Sequence, residues 1–377
     1  MGSFLLTPIL AFFGVFGYAV YTADPQAISI GPISSSQWVE YNGYNPKTLS
    51  VMLQSQLMAV ESVVKTKRGL KYTSEDKVRD KAVEVMADSL QIGKPIKAIQ
   101  TTLGMIPLQV GGSIVENGRS VYLYLTAYAS DGTIYKVKRS IADTENLEVL
   151  MKDGVLALFE QVDPFVVADY WFQTEKKDHN FVNTRRMIVD GLVKAHKKDV
   201  PWYYDLLGQV LHAEGHYDEA ITHYQQALAI DPSLHRPHLH WARALIELGQ
   251  LQDADIQLTI AAKLNPADSD VYQERGTLYQ REGEPIKAMN AYAEALKINP
   301  LDADSYRDWA LLLRSRGRLD DAVEAMRRAI FIEPKNKDLQ ATMSEILGTE
   351  DANFKGLVQT VKQTEAAVPK PDSLAKK

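Results

Sequence analysis

The chain has 377 residues, a formal net charge of −6, 45% hydrophobic and 24% charged residues, and no cysteine. These proportions are ordinary for a folded globular protein, and the length suffices for about two or three domains. The negative charge argues against a protein that binds nucleic acid through a general positive field. The lack of cysteine excludes disulfides, cysteine nucleophiles and iron–sulfur clusters.

The chain begins with an apolar segment, in which no charged side chain precedes Asp24. About 20 residues with a rise of ~1.5 Å each cover the ~30 Å hydrocarbon core of a bilayer, so residues 1–23 are predicted to form a transmembrane or signal-anchor helix. A cleaved signal peptide is the alternative. Against it, no Lys or Arg precedes the apolar run, and Tyr21 stands where cleavage after Ala23 needs a small residue. The predicted localisation is a bacterial inner membrane, with a single span and the body in the periplasm.

Residues 24–163 are predicted to form an α+β domain. Apolar residues recur at helical spacing after Pro46, and a second helix is predicted from Thr73. Three alternating runs follow, separated by Asn117-Gly118 and by Asp131-Gly132. Both dipeptides tolerate the positive φ of tight hairpin turns, so these runs are predicted to form an antiparallel meander.

The middle strand of this meander has two distinct faces, and Tyr122, Tyr124 and Tyr128 share one of them. The tyrosines form either a stacking platform for a ligand or a surface that packs on a neighbouring helix. A helix after Asp143 is predicted to cover the apolar face. The domain contains no phosphate loop and no nucleophile elbow in its sequence, so no catalytic residue is predicted.

The most regular feature of the sequence is a period of 34 residues that starts at Pro201. Each unit has glycine at position 15, alanine at positions 20 and 27, and proline at position 32. The glycine suits the left-handed residue that ends a first helix, the alanines permit close helix packing, and the proline stops a second helix. These columns are Gly215, Gly249, Gly283 and Gly317; Ala220, Ala254, Ala288 and Ala322; Ala227, Ala261, Ala295 and Ala329; and Pro232, Pro266, Pro300 and Pro334.

This pattern resembles the tetratricopeptide repeat family, which has the same period. The resemblance implies an all-α solenoid of helix pairs whose role is to bind another protein, without enzymatic activity. The four implied repeats are residues 201–234, 235–268, 269–302 and 303–336. The flanking segments are predicted to be a degenerate leading repeat (164–200), a capping helix (337–350) and a flexible tail (351–377).

The resemblance also implies a concave groove, which positions 2, 5, 9, 12 and 13 of each first helix would build. The predicted partner-binding residues are Trp202, Asp205, Gln209, His212, Arg236, Arg243, Glu247, Gln273, Arg281, Arg307 and Arg314. Because guanidinium groups pair with carboxylates, an acidic segment or a free C-terminal carboxylate is the predicted partner chemistry. The alternative is that several arginines pair with Asp270, Asp304 and Glu247 inside the groove. The predicted function is a membrane-anchored scaffold or adaptor in a bacterial envelope assembly, secretion or export system.

Two other functions stay open at this point. All eight histidines lie within residues 179–240, and His212 and His216 stand four residues apart, which can hold a metal. The first alternative is therefore a metal-dependent or enzymatic accessory module that uses this stretch or the α+β domain. No third ligand stands at a recognisable spacing, so no metal site or cofactor is predicted. The second alternative is a secreted periplasmic chaperone after signal cleavage.

Overall fold

The structure is a computed structural model in which two compact units are distinguished, Met1–Gly191 and Leu192–Lys377. Each unit is described by itself. The predicted domain boundaries stay a prediction. The residues that the structure describes are 28–64, 108–141 and 146–348, except residue 119 and residues 130–131.

The first unit contains a four-stranded sheet of order β1-β2-β3-β4. β1 and β2 are parallel, whereas β2–β3 and β3–β4 are antiparallel pairs. Gly118 and Gly132 have φ angles of +67° and +88° in the two hairpin connections, as the Asn-Gly and Asp-Gly dipeptides predict. The strands are β1 (Ile28–Ser35), β2 (Leu108–Asn117), β3 (Ser120–Ala129) and β4 (Ile134–Ile141).

One face of this sheet is buried and the other is open. Leu123 and Leu125 of β3 are buried on the first face. On the second face the side chains of Tyr124 and Tyr128 are 36% and 52% exposed, so neither ring is enclosed in a core. Lys138 Nζ lies 4.7 Å from the centre of the Tyr122 ring, which places a cation on this face.

Five helices complete the described part of this unit. They are α1 (Gln37–Tyr41), α2 (Pro46–Val63), α3 (Leu147–Val162), α4 (Pro164–Glu175) and α5 (Val182–Lys194), whose last residues enter the second unit. Asn45 caps α2 by accepting a hydrogen bond from the Thr48 amide at 2.9 Å. α2 contacts β1, and α3 contacts β3 and β4 as well as α2.

Glu175 joins the helices α4 and α5 into a hairpin. Its carboxylate accepts hydrogen bonds from the amides of Asn183 and Thr184 at 2.9 and 3.0 Å, and from their side chains at 2.8 and 2.7 Å. Burial alone would raise the pKa of Glu175, but the bonds from Thr184 and Asn183 outweigh it and lower that pKa. A carboxylate at the start of α5 also compensates its unpaired amides.

The second unit is a row of helix pairs. The four pairs are α6 (Val200–Ala213) with α7 (Tyr217–Ile230), α8 (His235–Glu247) with α9 (Leu251–Leu264), α10 (Ser269–Arg281) with α11 (Pro285–Ile298), and α12 (Ala303–Ser315) with α13 (Leu319–Ile332); α14 (Lys337–Leu347) follows them. Between the two helices of each pair stands a glycine with φ between +73° and +84°, as the position-15 column predicts. The alanines of positions 20 and 27 are all 0% exposed, so the repeat period places them in the core.

One part of the predicted fold class is wrong. Of the described residues, no helix has both the length and the apolar character needed to cross a membrane. The longest of them, α2, has 18 residues and carries Lys47 near its start. The predicted transmembrane helix at residues 1–23, the helix from Thr73 and the tail 351–377 lie outside the described residues. The structure supports a helical solenoid with a small N-terminal sheet region, and the prediction of a single-pass membrane protein is corrected accordingly.

Candidate partner-binding surface

The first helices of the four pairs, α6, α8, α10 and α12, carry all the predicted partner-binding residues. Positions 2, 5, 9, 12 and 13 fall on one side of a helix because an α-helix turns about 100° per residue. Consecutive first helices contact one another, since α8 touches both α6 and α10, and α10 touches α12. Each helix therefore contributes one strip to a common surface, and we call this surface the groove.

Ion pairs connect α8 to α10 across the groove. Arg243 Nε donates to Glu274 Oε1 at 2.6 Å, and the Arg236 guanidinium lies 3.4 Å from Asp270 Oδ2. Arg281 of α10 reaches back to Glu247 of α8 at 3.5 Å. Three of the five predicted cations are thus neutralised by the neighbouring repeat.

The remaining two arginines are also paired. Arg307 contacts Asp304 at 2.8 Å and Asp308 at 2.9 Å, both on its own helix. Arg314 contacts Glu345 of α14 at 2.5 Å. The alternative interpretation, in which these arginines pair within the groove, therefore describes the structure, and the groove is not an open cluster of cations.

Electrostatics hold the inner pairs in their charged form. Burial opposes the positive charge of Arg243, but Glu274 and Asp270 outweigh it and raise the pKa of this guanidinium. The pKa of Arg307 is likewise raised, because Asp308 and Asp304 outweigh the effect of burial. Both cations are therefore already paired with carboxylates of the repeats, although their side chains are 32% and 31% exposed.

The five groove arginines differ in accessibility without a sharp division between exposed and buried ones. The side chains of Arg281 and Arg314 are 54% and 37% exposed, and those of their respective partners Glu247 and Glu345 are 38% and 65% exposed. The side chains of Arg243, Arg307 and Arg236 are 32%, 31% and 13% exposed. We call Glu247, Arg281, Arg314 and Glu345 the exposed charged row.

Asp205 is buried rather than part of an accessible surface. Its Oδ1 lies 2.8 Å from Nδ1 of His240, and each residue is 3% exposed. Gln209 donates to the other oxygen at 3.1 Å. The phenol of Tyr224 lies close by, and burial together with Asp205 raises its pKa well above the usual value, so the phenol stays neutral. Asp205 therefore joins repeats one and two.

The sequence interpretation missed position 6 of the repeat. This position holds His240, Glu274 and Asp308, and the side chain of each forms a hydrogen bond with a side chain of the preceding first helix. The partner stands at position 5 or 9, which is 35 or 31 residues earlier; Gln273, for example, donates to Asp308 Oδ2 at 2.8 Å. The sequence did contain a signal for these contacts. Position 6 is polar in repeats two, three and four, whereas the first repeat has Leu206 there.

The histidines suggested as metal ligands have other surroundings. The ring of His212 packs edge-on against Tyr217 with 5.1 Å between ring centres. His216 Nδ1 lies 3.3 Å from Glu219. In the part of the chain that the structure describes, no three metal-ligating side chains are grouped to hold an ion.

Comparison with protein families addresses the repeats directly. A model described as "TPR repeat" matches residues 208–249, and one described as "Tetratricopeptide repeat" matches residues 273–337. These segments are tetratricopeptide repeats. Such repeats fit a role in protein–protein interaction in general, and proteins built from them are usually scaffolds without enzymatic activity. No curated protein matches the sequence.

Several solved structures resemble the chain at low sequence identity. A thermophilic TPR protein in Thermus thermophilus is 21% identical, with a TM-score of 0.45, over 50% of this chain and 98% of its own. MamA is 22% identical, with a TM-score of 0.34, over 44% of this chain and 96% of its own. The APC/C hetero-tetramer Cut9-Hcn1 is 16% identical, with a TM-score of 0.43, over 57% of this chain and 42% of its own. At these scores the matches carry no argument about function.

Proposed function

We propose that the chain is a scaffold or adaptor that binds a protein or peptide partner in the groove. The supporting observation is the exposed charged row, Glu247, Arg281, Arg314 and Glu345, which extends over three successive first helices and α14. An extended segment that lies across the repeats meets charges of both signs at the spacing of the repeat. Rigid first helices position these charges before the partner arrives, which lowers the entropic cost of binding.

The partner contacts the exposed cations rather than the inner ones. Arg281 and Glu247 are separated by 3.5 Å and both are more than one-third exposed. Exposed ion pairs of this kind contribute only about 0–1 kcal/mol, so a carboxylate of the partner replaces Glu247 at little cost. An acidic side chain or a C-terminal carboxylate then pairs bidentately with the Arg281 or Arg314 guanidinium. Arg236 and Arg243 instead pair with carboxylates of the next first helix and join α8 to α10.

Capture of the partner tests this function. The full chain with an affinity tag is crosslinked in cells, and the captured protein is identified and purified. The variant Arg281→Ala with Arg314→Ala should bind that protein about tenfold more weakly, as expected for the loss of two charged contacts. Arg327→Ala is the matched control, because Arg327 is 43% exposed and paired with Glu324 on α13, away from the groove. Equal binding by the double variant and the parent chain would contradict the groove assignment.

The same capture tests the pathway. The proposed role in an envelope assembly, secretion or export system requires the captured protein to belong to such a system. A partner from another process leaves the adaptor function standing and removes this part of the proposal.

A further inference from the structure

A second concave site lies between the second helices of repeats one and two. α7 and α9 form its walls and α8 forms its floor, and the cavity has a volume of 310 Å³. We call it the cleft. Its lining residues are Asp218, Ile221, Gln225, Trp241, Leu245, Gln250, Asp253, Ile256 and Gln257.

The cleft faces away from the groove. Residues two positions apart on a helix are separated by about 200° around its axis. Trp241 and Leu245 each stand two positions from Arg243, so the floor of the cleft is the side of α8 opposite to the Arg243–Glu274 pair. A ligand in the cleft and a partner in the groove occupy different surfaces, and binding at one site is measurable without the other.

The floor of the cleft is apolar. The partly buried Trp241 ring lies beside Ile221 and the buried Leu245, and Ile256 on the wall is 55% exposed. An exposed isoleucine next to a tryptophan provides apolar area that a ligand can cover. The equivalent tryptophan of repeat four, Trp309, is 0% exposed, so this opening is a property of repeat two and not of every repeat.

The walls of the cleft are acidic. Asp218 begins one wall and Asp253 the other, and neither carboxylate has an ion-pair partner among residues 28–64, 108–141 and 146–348. The lining includes no Lys or Arg, and the whole of repeat one, residues 201–234, contains none. The arginines of α8 lie on the opposite side and are already paired with Asp270 and Glu274. The local charge therefore complements a cation.

We propose that the cleft binds a single lysine or arginine side chain of a partner protein. The aliphatic stem of that side chain covers Trp241 and Ile256, and its charged head lies between Asp218 and Asp253. Basic side chains combine an apolar stem with a polar head, and a cation near an indole face gains additional attraction. The volume of 310 Å³ stands at the lower end of the ~300–1,000 Å³ of ligand pockets, which suits one side chain.

The test uses the full chain labelled with 5-fluorotryptophan. The chain has five tryptophans, so five ¹⁹F signals are expected. The Trp241→Phe variant assigns the signal of Trp241. The probe is the peptide acetyl-Leu-Arg-Leu-Lys-amide, and the control peptide is acetyl-Leu-Glu-Leu-Glu-amide. The basic peptide should shift the Trp241 signal in the millimolar range while the signal of the buried Trp309 stays in place.

Matched variants separate the cleft from unspecific attraction. Asp218→Asn with Asp253→Asn should weaken binding of the basic peptide about tenfold, since both carboxylates that face the cation are lost. Asp320→Asn is the control, because Asp320 stands on α13 at the same repeat position as Asp218 but does not line the cleft. An unmoved Trp241 signal, an equal response to the acidic peptide, or unchanged affinity in the double Asn variant would each overturn the proposal.

Discussion

The ring of Tyr224 occupies the space that a side chain at residue 208 would need. A Cβ atom added to Gly208 would lie 2.4 Å from Tyr224 Cε1, and the same distance separates a Cβ on Gly276 from Tyr292. Repeats one and three thus combine glycine at position 8 with tyrosine at position 24. Repeats two and four instead combine Ala242 with Leu258 and Ala310 with Met326. The size of the position-24 side chain decides whether glycine is required.

Gly208→Ala should destabilise the chain. In an unconstrained helix this change would stabilise by about 0.5–1 kcal/mol, but the clash with Tyr224 costs about 1–3 kcal/mol, so the clash dominates. Adding Tyr224→Leu reproduces the Ala242–Leu258 pair of repeat two and should recover part of the loss. Denaturant unfolding monitored by far-UV circular dichroism measures both effects. If Gly208→Ala is as stable as the parent chain, the close approach does not constrain this residue.

Separating the buried Asp205–His240 pair should be costly. Removal of His240 alone, as His240→Leu, leaves the Asp205 carboxylate buried beside Tyr224 and should cost about 3–5 kcal/mol. The double variant with Asp205→Leu removes both polar groups and should cost clearly less than the sum of the single changes. A double-mutant cycle of unfolding free energies gives the coupling between the two residues. Strict additivity would show that their contact does not stabilise the array.

The groove arginines should differ in their effect on stability. Arg243→Ala leaves the 15% exposed side chain of Glu274 without its cation and should cost about 2 kcal/mol. Arg281→Ala breaks an exposed pair and should change the free energy of unfolding by less than about 0.5 kcal/mol. The same denaturant experiment compares them. Equal losses would mean that the burial of the carboxylate partner does not determine what each ion pair contributes to stability.

The α4–α5 hairpin should loosen in acid. The folded pKa of Glu175 lies below its ordinary value of 4.5, so its stabilisation is fully present above the unfolded pKa and disappears as pH falls through the folded pKa. Hydrogen exchange at the Asn183 and Thr184 amides, corrected for intrinsic rates, should show lower protection on acidification below about pH 4.5. Glu175→Gln should abolish this pH dependence, whereas Glu148→Gln on α3 should preserve it. A pH-dependent loss that survives in Glu175→Gln would assign it to another group.

Sequence periodicity predicted the helix pairs of residues 201–336 because the residues that end each helix act locally. A glycine that follows a first helix and a proline that follows a second one depend only on the residues around them. The pairing of Arg236 with Asp270 and of Arg281 with Glu247 also follows from one repeat length, since 34 residues separate the partners.

Contacts that depend on how neighbouring helices are offset could not be predicted. The burial of Asp205 and the role of Glu274 arise from spacings of 35 and 31 residues, which only the stacking of the repeats determines. The cleft beside Trp241 likewise lies between residues of α7 and α9, which belong to different repeats. Trp309 stands at the same repeat position and is fully buried, so the residue type alone does not predict the cleft.

The order of the repeats is encoded in position 6. In repeats two to four the first helix carries there a polar group that bonds to the first helix before it, so these repeats are not interchangeable modules. Excising residues 235–268 would set Asp205 against Glu274 and force two carboxylates together out of water. Duplicating the same segment would set Arg243 against a second copy of His240. Deleting or duplicating a whole repeat at this junction should therefore lower the stability of the array, although all four repeats have the same helix–turn–helix arrangement.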